Sequence, residues 1–361
     1  MGAAAFGSVE PETLRYRGVR PGLPSLYKTS FKKKPFRRFI TLEAKSADAV
    51  YRVGLDNPIQ SPKVKWKIRT ESLEERGKSI VSRSPRACNI YDSGGNKRRY
   101  FPSDDQSAAK IGLALSETEN KAALNLIDDL EEFAIFAPTT PVLRGIAPDL
   151  AREPLGLGGS GLPKAVKELM DKNEEIFGKF DLEDVWEMLE WADDMSAVPA
   201  FQAPVSPAVT TAPVVLRFVD KFMRGERNTL SAYDASEGAL YVLFMLALVS
   251  HRKAPAIFAV DNFDQALHPR MARNLTRLIS EQIIKSGDCQ MLATTHNPLV
   301  LDGLDLMNEK IRLFAVDRDL GGVTRVKRIK VSKEIMDQAE KGLSLSRLWV
   351  MGRLGGVPKA L

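Results

Sequence analysis

Ala256-Ile257-Phe258-Ala259-Val260-Asp261-Asn262-Phe263-Asp264-Gln265-Ala266-Leu267-His268-Pro269 is the stretch from which the rest of the chain is best read. Its apolar opening ends in a carboxylate, so it reads as a buried strand over Ala256 to Val260 that delivers Asp261 at its carboxyl end. Pro269 suits the first turn of a helix predicted to run to Lys285, because proline's fixed φ is already helical and its missing N–H has no partner there. Working outward, Val214 to Val219 is predicted as a strand and Ser236 to Ser250 as a helix. Gln290 to Thr295 and Ile311 to Val316 are predicted as further short strands. Strand, helix, strand, helix, strand implies right-handed crossovers and a largely parallel sheet. The predicted class is α/β, with ligands at the carboxyl ends of the strands.

Two further runs place polar clusters on the same elements. Met291-Leu292-Ala293-Thr294-Thr295-His296-Asn297-Pro298 is again an apolar strand ending in polar residues, one helix after Asp261. Leu230-Ser231-Ala232-Tyr233-Asp234-Ala235-Ser236-Glu237-Gly238 leads into a long apolar helix. A helix amino terminus offers free N–H groups and a positive dipole end, Ser adds a hydroxyl, and Gly allows close approach, so Ser236, Glu237 and Gly238 can hold an anion. Ser236 acting only as a helix cap is the competing reading.

Together these runs resemble AAA-type ATPases of the ABC-like branch, including RecF-like and OLD-like proteins. The stretch from Asp261 to Pro269 is similar to their Walker B and D-loop pattern, Asp-Glu-Pro-x-x-x-Leu-His-Pro. Ser236 and Gly238 fall on the Ser-x-Gly core of the signature motif, and His296 on the switch histidine that contacts the γ-phosphate. The resemblance implies that Asp261 binds Mg2+, that Asp264 and His268 lie in the same segment, and that the signature binds ATP held by an opposite subunit in a head-to-tail homodimer. Asn262 departs from the pattern where the family carries the glutamate that activates water. An amide cannot accept a proton, so slow hydrolysis is expected unless Asp264 or a partner group substitutes. The weakly matching segment from Leu343 to Pro358, with Trp349, Gly352, Gly355 and Gly356, is similar to a closing segment of the same group. No Toprim nuclease signature follows it.

A phosphate loop, Gly-x-x-x-x-Gly-Lys-Ser/Thr, does not occur in the sequence. The resemblance places it ahead of Met1, on the first strand and helix. A truncated start, a partner chain supplying the loop, and a degenerate scaffold are the three explanations, with truncation or a split ATPase favoured. Gly156-Leu157-Gly158-Gly159-Ser160-Gly161 has no Lys-Ser/Thr and no strand before it, so it reads as a turn between helices.

The amino-terminal third is basic. Residues 1 to 100 hold 22 Lys/Arg against 9 Asp/Glu, a balance of +13; with +6 overall, the remainder carries −7. In Lys63 to Arg69, the apolar residues Val64, Trp66 and Ile68 alternate with Lys63, Lys65, Lys67 and Arg69, which predicts a strand with one cationic face. DNA suits such a face, because neutralising phosphates releases counterions; a well-solvated sheet face is the alternative. The predicted layout is a poorly ordered opening over 1–32, a basic antiparallel β lobe over 33–104, a helical insertion over 105–193, a linker over 194–213 and the ATPase lobe over 214–361. Val166, Leu169, Ile176 and Phe177 are assigned to one helical run of the insertion.

Cys88 and Cys289 stand alone, without metal-ligand spacing, which fits a reducing cytoplasmic setting. The longest apolar stretch, Leu240 to Val249, is too short to span a bilayer, so no membrane partner is expected.

Overall fold

A computed structural model describes residues 1–19, 39–92, 94–116, 120–150, 152–170, 176–319, 321–330 and 344–353. The chain forms two compact units, Met1–Ile135 with Pro255–Phe258, and Phe136–Ala254 with Ala259–Leu361.

In the first unit, helices α1 (Gly2–Phe6) and α2 (Pro11–Arg15) precede six strands: β1 (Ile40–Lys45), β2 (Ala49–Asp56), β3 (Lys67–Glu75), β4 (Lys78–Arg83), β5 (Cys88–Tyr91) and β6 (Lys97–Tyr100). They form one antiparallel sheet in sequence order, the predicted meander. Helices α3 (Ala109–Leu115) and α4 (Lys121–Glu132) follow. Ala123, Leu126, Ile127 and Leu130 fall on one stripe of α4 at helical spacing. They join Tyr51, Val53, Ile68, Leu73 and Val81 of the sheet, and Ala3, Ala4 and Ala5 of α1, in a single core.

Three expectations change here. Gly2–Phe6 and Pro11–Arg15 form helices, with Ala3 to Ala5 buried, because an alanine-rich turn can lie close against a neighbouring helix; residues 20–32 of the expected opening lie outside the described residues. Of the helices expected in one insertion over 105–193, α3 and α4 cover the meander, since that sheet needs an apolar cover for its inner face, while those beyond Phe136 belong to the second unit. The strand expected over Lys63 to Arg69 begins only at Lys67. Asn57 accepts from the Lys63 N–H and donates to the Lys63 carbonyl, both at 2.9 Å, holding a loop there instead.

Glu71 is buried at 2% exposure. Its carboxylate accepts from Tyr51 Oη at 2.8 Å and from the Ala108 N–H at 2.9 Å, which fixes the start of α3. A buried charge is tolerated when its acceptor sites are filled in this way.

At the boundary of the units lies β7 (Ala134–Phe136). The second unit continues through α5 (Thr140–Leu143), α6 (Leu162–Met170), β8 (Ile176–Phe177), β9 (Phe180–Asp181), α7 (Leu182–Met188), β10 (Ala192–Pro199), β11 (Val214–Asp220), β12 (Thr229–Ser231) and α8 (Glu237–Ser250). Then come β13 (Ile257–Val260), α9 (Pro269–Ser286), β14 (Gln290–Ala293), β15 (Leu313–Arg318), β16 (Thr324–Ile329) and α10 (Leu345–Val350). Ile176 and Phe177 lie in a two-residue strand paired with β9, not in a helix; Gly178 at φ 64 turns the chain between them.

The expected linker starts as a strand, because Ala192–Pro199 pairs antiparallel with β11. Strand β11 therefore sits in an antiparallel sheet with β10 and β12, and β15 forms an antiparallel hairpin with β16. Neither joins the sheet of β13, whose strand order is β14-β13-β7. Apolar strands announce burial, but not which partner they pair with. Helix α8 is buried on every side from Ala239 to Ser250, with Phe244 edge-on to Phe136 at 6.0 Å between ring centroids. Of the expected closing segment, Leu345 and Leu348 pack with Leu301, while Leu343 and residues 354–358, including Gly355 and Gly356, lie outside the described residues. Among the described residues no helix is long and apolar enough to cross a membrane.

Candidate functional site

The site is built from the ends of β13 and β14 and the start of α8. Asp261 leaves β13 with its N–H bonded to the Phe136 carbonyl at 2.8 Å. The Thr294 N–H bonds to the Val260 carbonyl at 3.1 Å, and the Phe263 N–H to the Thr294 carbonyl at 2.8 Å, so the two strand ends stay joined beyond their regular ladder. Thr294 Oγ1 donates to Asp261 Oδ1 at 2.6 Å and accepts from the Asn262 N–H at 2.9 Å. Thr295 Oγ1 donates to Asp264 Oδ1 at 2.6 Å. Consecutive threonines on one strand end thus fasten two carboxylates of the facing turn. The next residue is His296, which is exposed.

Asn262 stands at φ 55 and Ala266 at φ 61. The left-handed region is costly for most side chains and tolerated by asparagine, so the backbone gives Asn262 a reason of its own. Its carbonyl accepts from the Gln265 N–H at 2.9 Å and from Tyr241 Oη at 3.1 Å. Tyr241 lies on α8, five residues after the cap of that helix. Burial foremost, and then the Asp264 and Asp261 carboxylates, push its phenol above the ordinary tyrosine value.

Ser236 caps α8, its Oγ accepting from the Ala239 N–H at 3.3 Å. A Cβ on Gly238 would approach the Ala266 carbonyl oxygen to 3.1 Å, so this glycine lets α8 sit directly against the turn after Asp261. Glu237 is bound by Thr140 Oγ1. Arg144 donates to the Ala235 carbonyl at 3.3 Å and stacks over Tyr233 at 5.9 Å from its ring centroid. His268 caps α9, Nδ1 accepting from the Arg270 N–H at 3.4 Å.

The structure thus joins Asp261, Asn262 and Asp264 to Thr294 and Thr295 by hydrogen bonds, with His296 next in the chain; Gly238 lies against the Ala266 carbonyl, and Ser236, among the described residues, bonds only within its own helix. The basic residues do not present the free stripe their alternation predicts. Lys65 Nζ lies 2.5 Å from Glu10 and 3.1 Å from Asp105, Lys67 Nζ 2.5 Å from Asp104, and Arg69 Nε 3.6 Å from Asp56; among the described residues, Lys63 has no carboxylate partner. Thr294, Tyr241, Thr140 and Arg144 were not legible as site residues. Their roles come from hydrogen bonds between elements distant in sequence.

A single carboxylate at a strand end suits Mg2+, which keeps several waters and completes its shell with phosphate oxygens. Asp261 has that form, with Oδ1 held by Thr294. Among the described residues no group of three or more His, Cys, Asp or Glu could form an all-protein metal cage.

A family described as "AAA domain, putative AbiEii toxin, Type IV TA system" matches residues 11–302. The chain belongs to this family. It carries the AAA domain that defines that family. No curated protein matches the AAA-domain chain. Among solved structures it is similar to an SMC head bound to the C-winged helix domain of ScpA, at 11% identity and TM-score 0.44, covering 92% of this chain and 86% of that one. The SMC head domain from Thermotoga maritima gives 12% identity and TM-score 0.32, covering 79% and 76%. The Pyrococcus furiosus Smc head with an extended coiled coil, bound to the C-terminal domain of ScpA, gives 11% and 0.39, covering 94% and 89%.

Proposed function

We propose that this AAA-domain chain binds and turns over ATP with Mg2+ as a head-to-tail pair, Asp261 holding the metal, His296 reading the γ-phosphate, and the Ser236–Gly238 turn taking the triphosphate held by the opposite protomer. The observation that carries the reading is the Thr294 bridge. It ties the Asp261 carboxylate and the Asn262 backbone to the segment that leaves β14 and carries His296 two residues later, which supports a metal-binding acid and a phosphate-contacting imidazole acting together. Imidazole suits phosphate because it donates a hydrogen bond without a permanent charge. The family's description names a toxin–antitoxin system, which supports a defence setting.

The test measures ATP turnover by the chain together with a segment carrying Gly-x-x-x-x-Gly-Lys-Ser/Thr, for wild type and Asp261→Ala. Loss of turnover in the variant is expected, and unchanged turnover defeats the assignment. Asn262 favours a second reading, a module that closes on ATP without hydrolysing it. Nucleotide-dependent self-association with no phosphate release would select that reading.

A further inference from the structure

The first unit's cationic surface lies on a different strand from the one that alternation singles out. Strand β6 ends the six-stranded sheet and pairs only with β5 among the described residues, so its outer edge is open. Lys97-Arg98-Arg99-Tyr100-Phe101 places three successive cations on it, all exposed. Arg86, in the turn between β4 and β5, is exposed too, and Arg99 donates to its carbonyl at 3.4 Å. Asp92 is the carboxylate of this hairpin. Hydrogen bonds from Asn96 first, and then the Arg98 charge among lesser causes, hold it below the usual range. Among the described residues, Arg86, Lys97 and Arg99 form no ion pair with a carboxylate.

The outward face adds matching chemistry. Registers Ser72↔Ser82, Ser82↔Asn89 and Asn89↔Arg99 form one cross-strand row, with Tyr91↔Lys97 beside it. Because successive side chains alternate, Asn89, Tyr91, Lys97 and Arg99 share that face. Phe101 follows at 80% exposure, with the Arg99 guanidinium 5.5 Å from its ring centroid. Charges on an edge strand discourage aggregation, but a bare phenylalanine at the same edge works against that purpose.

We propose that the β5–β6 edge binds single-stranded nucleic acid, with backbone phosphates on Arg86, Lys97 and Arg99 and an unstacked base on Phe101. Cations track a phosphate backbone, and an exposed aromatic ring takes any base face without sequence preference. A duplex keeps its bases stacked inside and cannot offer one to Phe101. This inference does not depend on the ATPase reading.

The test is fluorescence anisotropy of the full chain with a labelled 20-nucleotide oligothymidylate, an oligouridylate of equal length and the corresponding duplex, over a salt series. Either single strand binding more tightly than the duplex is expected, and their ratio shows which sugar is preferred. Phe101→Ala should weaken single-strand binding about 5- to 150-fold, the range for losing one stacked base, and Phe101→Trp should retain it. The double variant Lys97→Ala/Arg99→Ala should flatten the slope of log K against log salt by about 1.4, since each phosphate contact contributes roughly 0.7 for single strands. Lys65→Ala, whose charge is already neutralised, should change affinity less than twofold. Tighter binding to duplex, indifference to Phe101→Ala, or an effect of Lys65→Ala equal to that of the double variant would each overturn the proposal.

Discussion

Tyr241→Phe tests the bond between α8 and the turn after Asp261. The substitution keeps the ring and leaves no cavity, removing only the hydroxyl that donates to the Asn262 carbonyl at 3.1 Å. That carbonyl keeps its bond from the Gln265 N–H at 2.9 Å, so it is not orphaned, and the loss at neutral pH should be about 1 kcal/mol. The alkaline range separates this from a generic packing effect. The folded phenol titrates above its ordinary value, so as pH passes roughly 10 the unfolded chain loses this proton while the folded chain keeps it. Wild type then loses stability with rising pH, by about 1.4 kcal/mol at pH 11, a loss the Phe variant does not share. Urea unfolding followed by tryptophan fluorescence at pH 7 and pH 11 measures both; other alkaline groups are common to the two proteins and cancel in the difference. Wild type should lead by about 1 kcal/mol at pH 7, and the gap should close or reverse at pH 11. A gap that stays the same at both pH values would refute the burial argument, and no gap at pH 7 would refute the hydrogen bond.

Asn262→Glu, which supplies the glutamate of the Walker B pattern that this stretch resembles, should cost about 1 kcal/mol in unfolding free energy because of φ 55, whereas Asn262→Gly should be near neutral; equal effects would remove the backbone argument. Thr294→Val should destabilise by about 1–2 kcal/mol in the same assay, since it breaks a charge-assisted bond and leaves the Asn262 N–H to water. The Cys88 thiol is pushed up to about 11 by burial and then by the Glu71 carboxylate. Alkylation of folded protein by iodoacetamide at pH 8 should therefore spare Cys88 until the chain is unfolded, and peptide mapping that finds rapid native labelling there would contradict it.

Local signals were legible where one physical cause dominated. The Asp261 strand end, the Ser236 cap and Pro269 at the first turn of its helix were each readable from neighbouring residues alone. Partnerships were not. Val214 to Val219 has the composition of a buried strand in either setting, and its antiparallel sheet is decided by its neighbours Ala192–Pro199 and Thr229–Ser231. Alternation at Lys63 to Arg69 gave charge but not compensation, since Glu10, Asp104 and Asp105 come from distant parts of the chain. Asn262 was readable as a departure from a pattern, while the left-handed backbone beneath it was not. The threonine bridge was hidden because a hydroxyl beside a histidine carries no periodic signal.

The glycine-rich turn before α6 has a consequence of its own. Asp149 reaches into it, its Oδ2 accepting from the Gly158 N–H at 2.9 Å, the Ser160 N–H at 3.3 Å and the Ser160 hydroxyl at 3.0 Å. A Cβ on Gly156 would come within 2.3 Å of that same oxygen, so the glycine makes room for a carboxylate of the chain itself. The cradle of amides that in another setting would welcome a phosphate is already filled by an internal anion. Added phosphate should find no seat there, and charge removal at position 149 would loosen the lead into α6 without creating a nucleotide pocket.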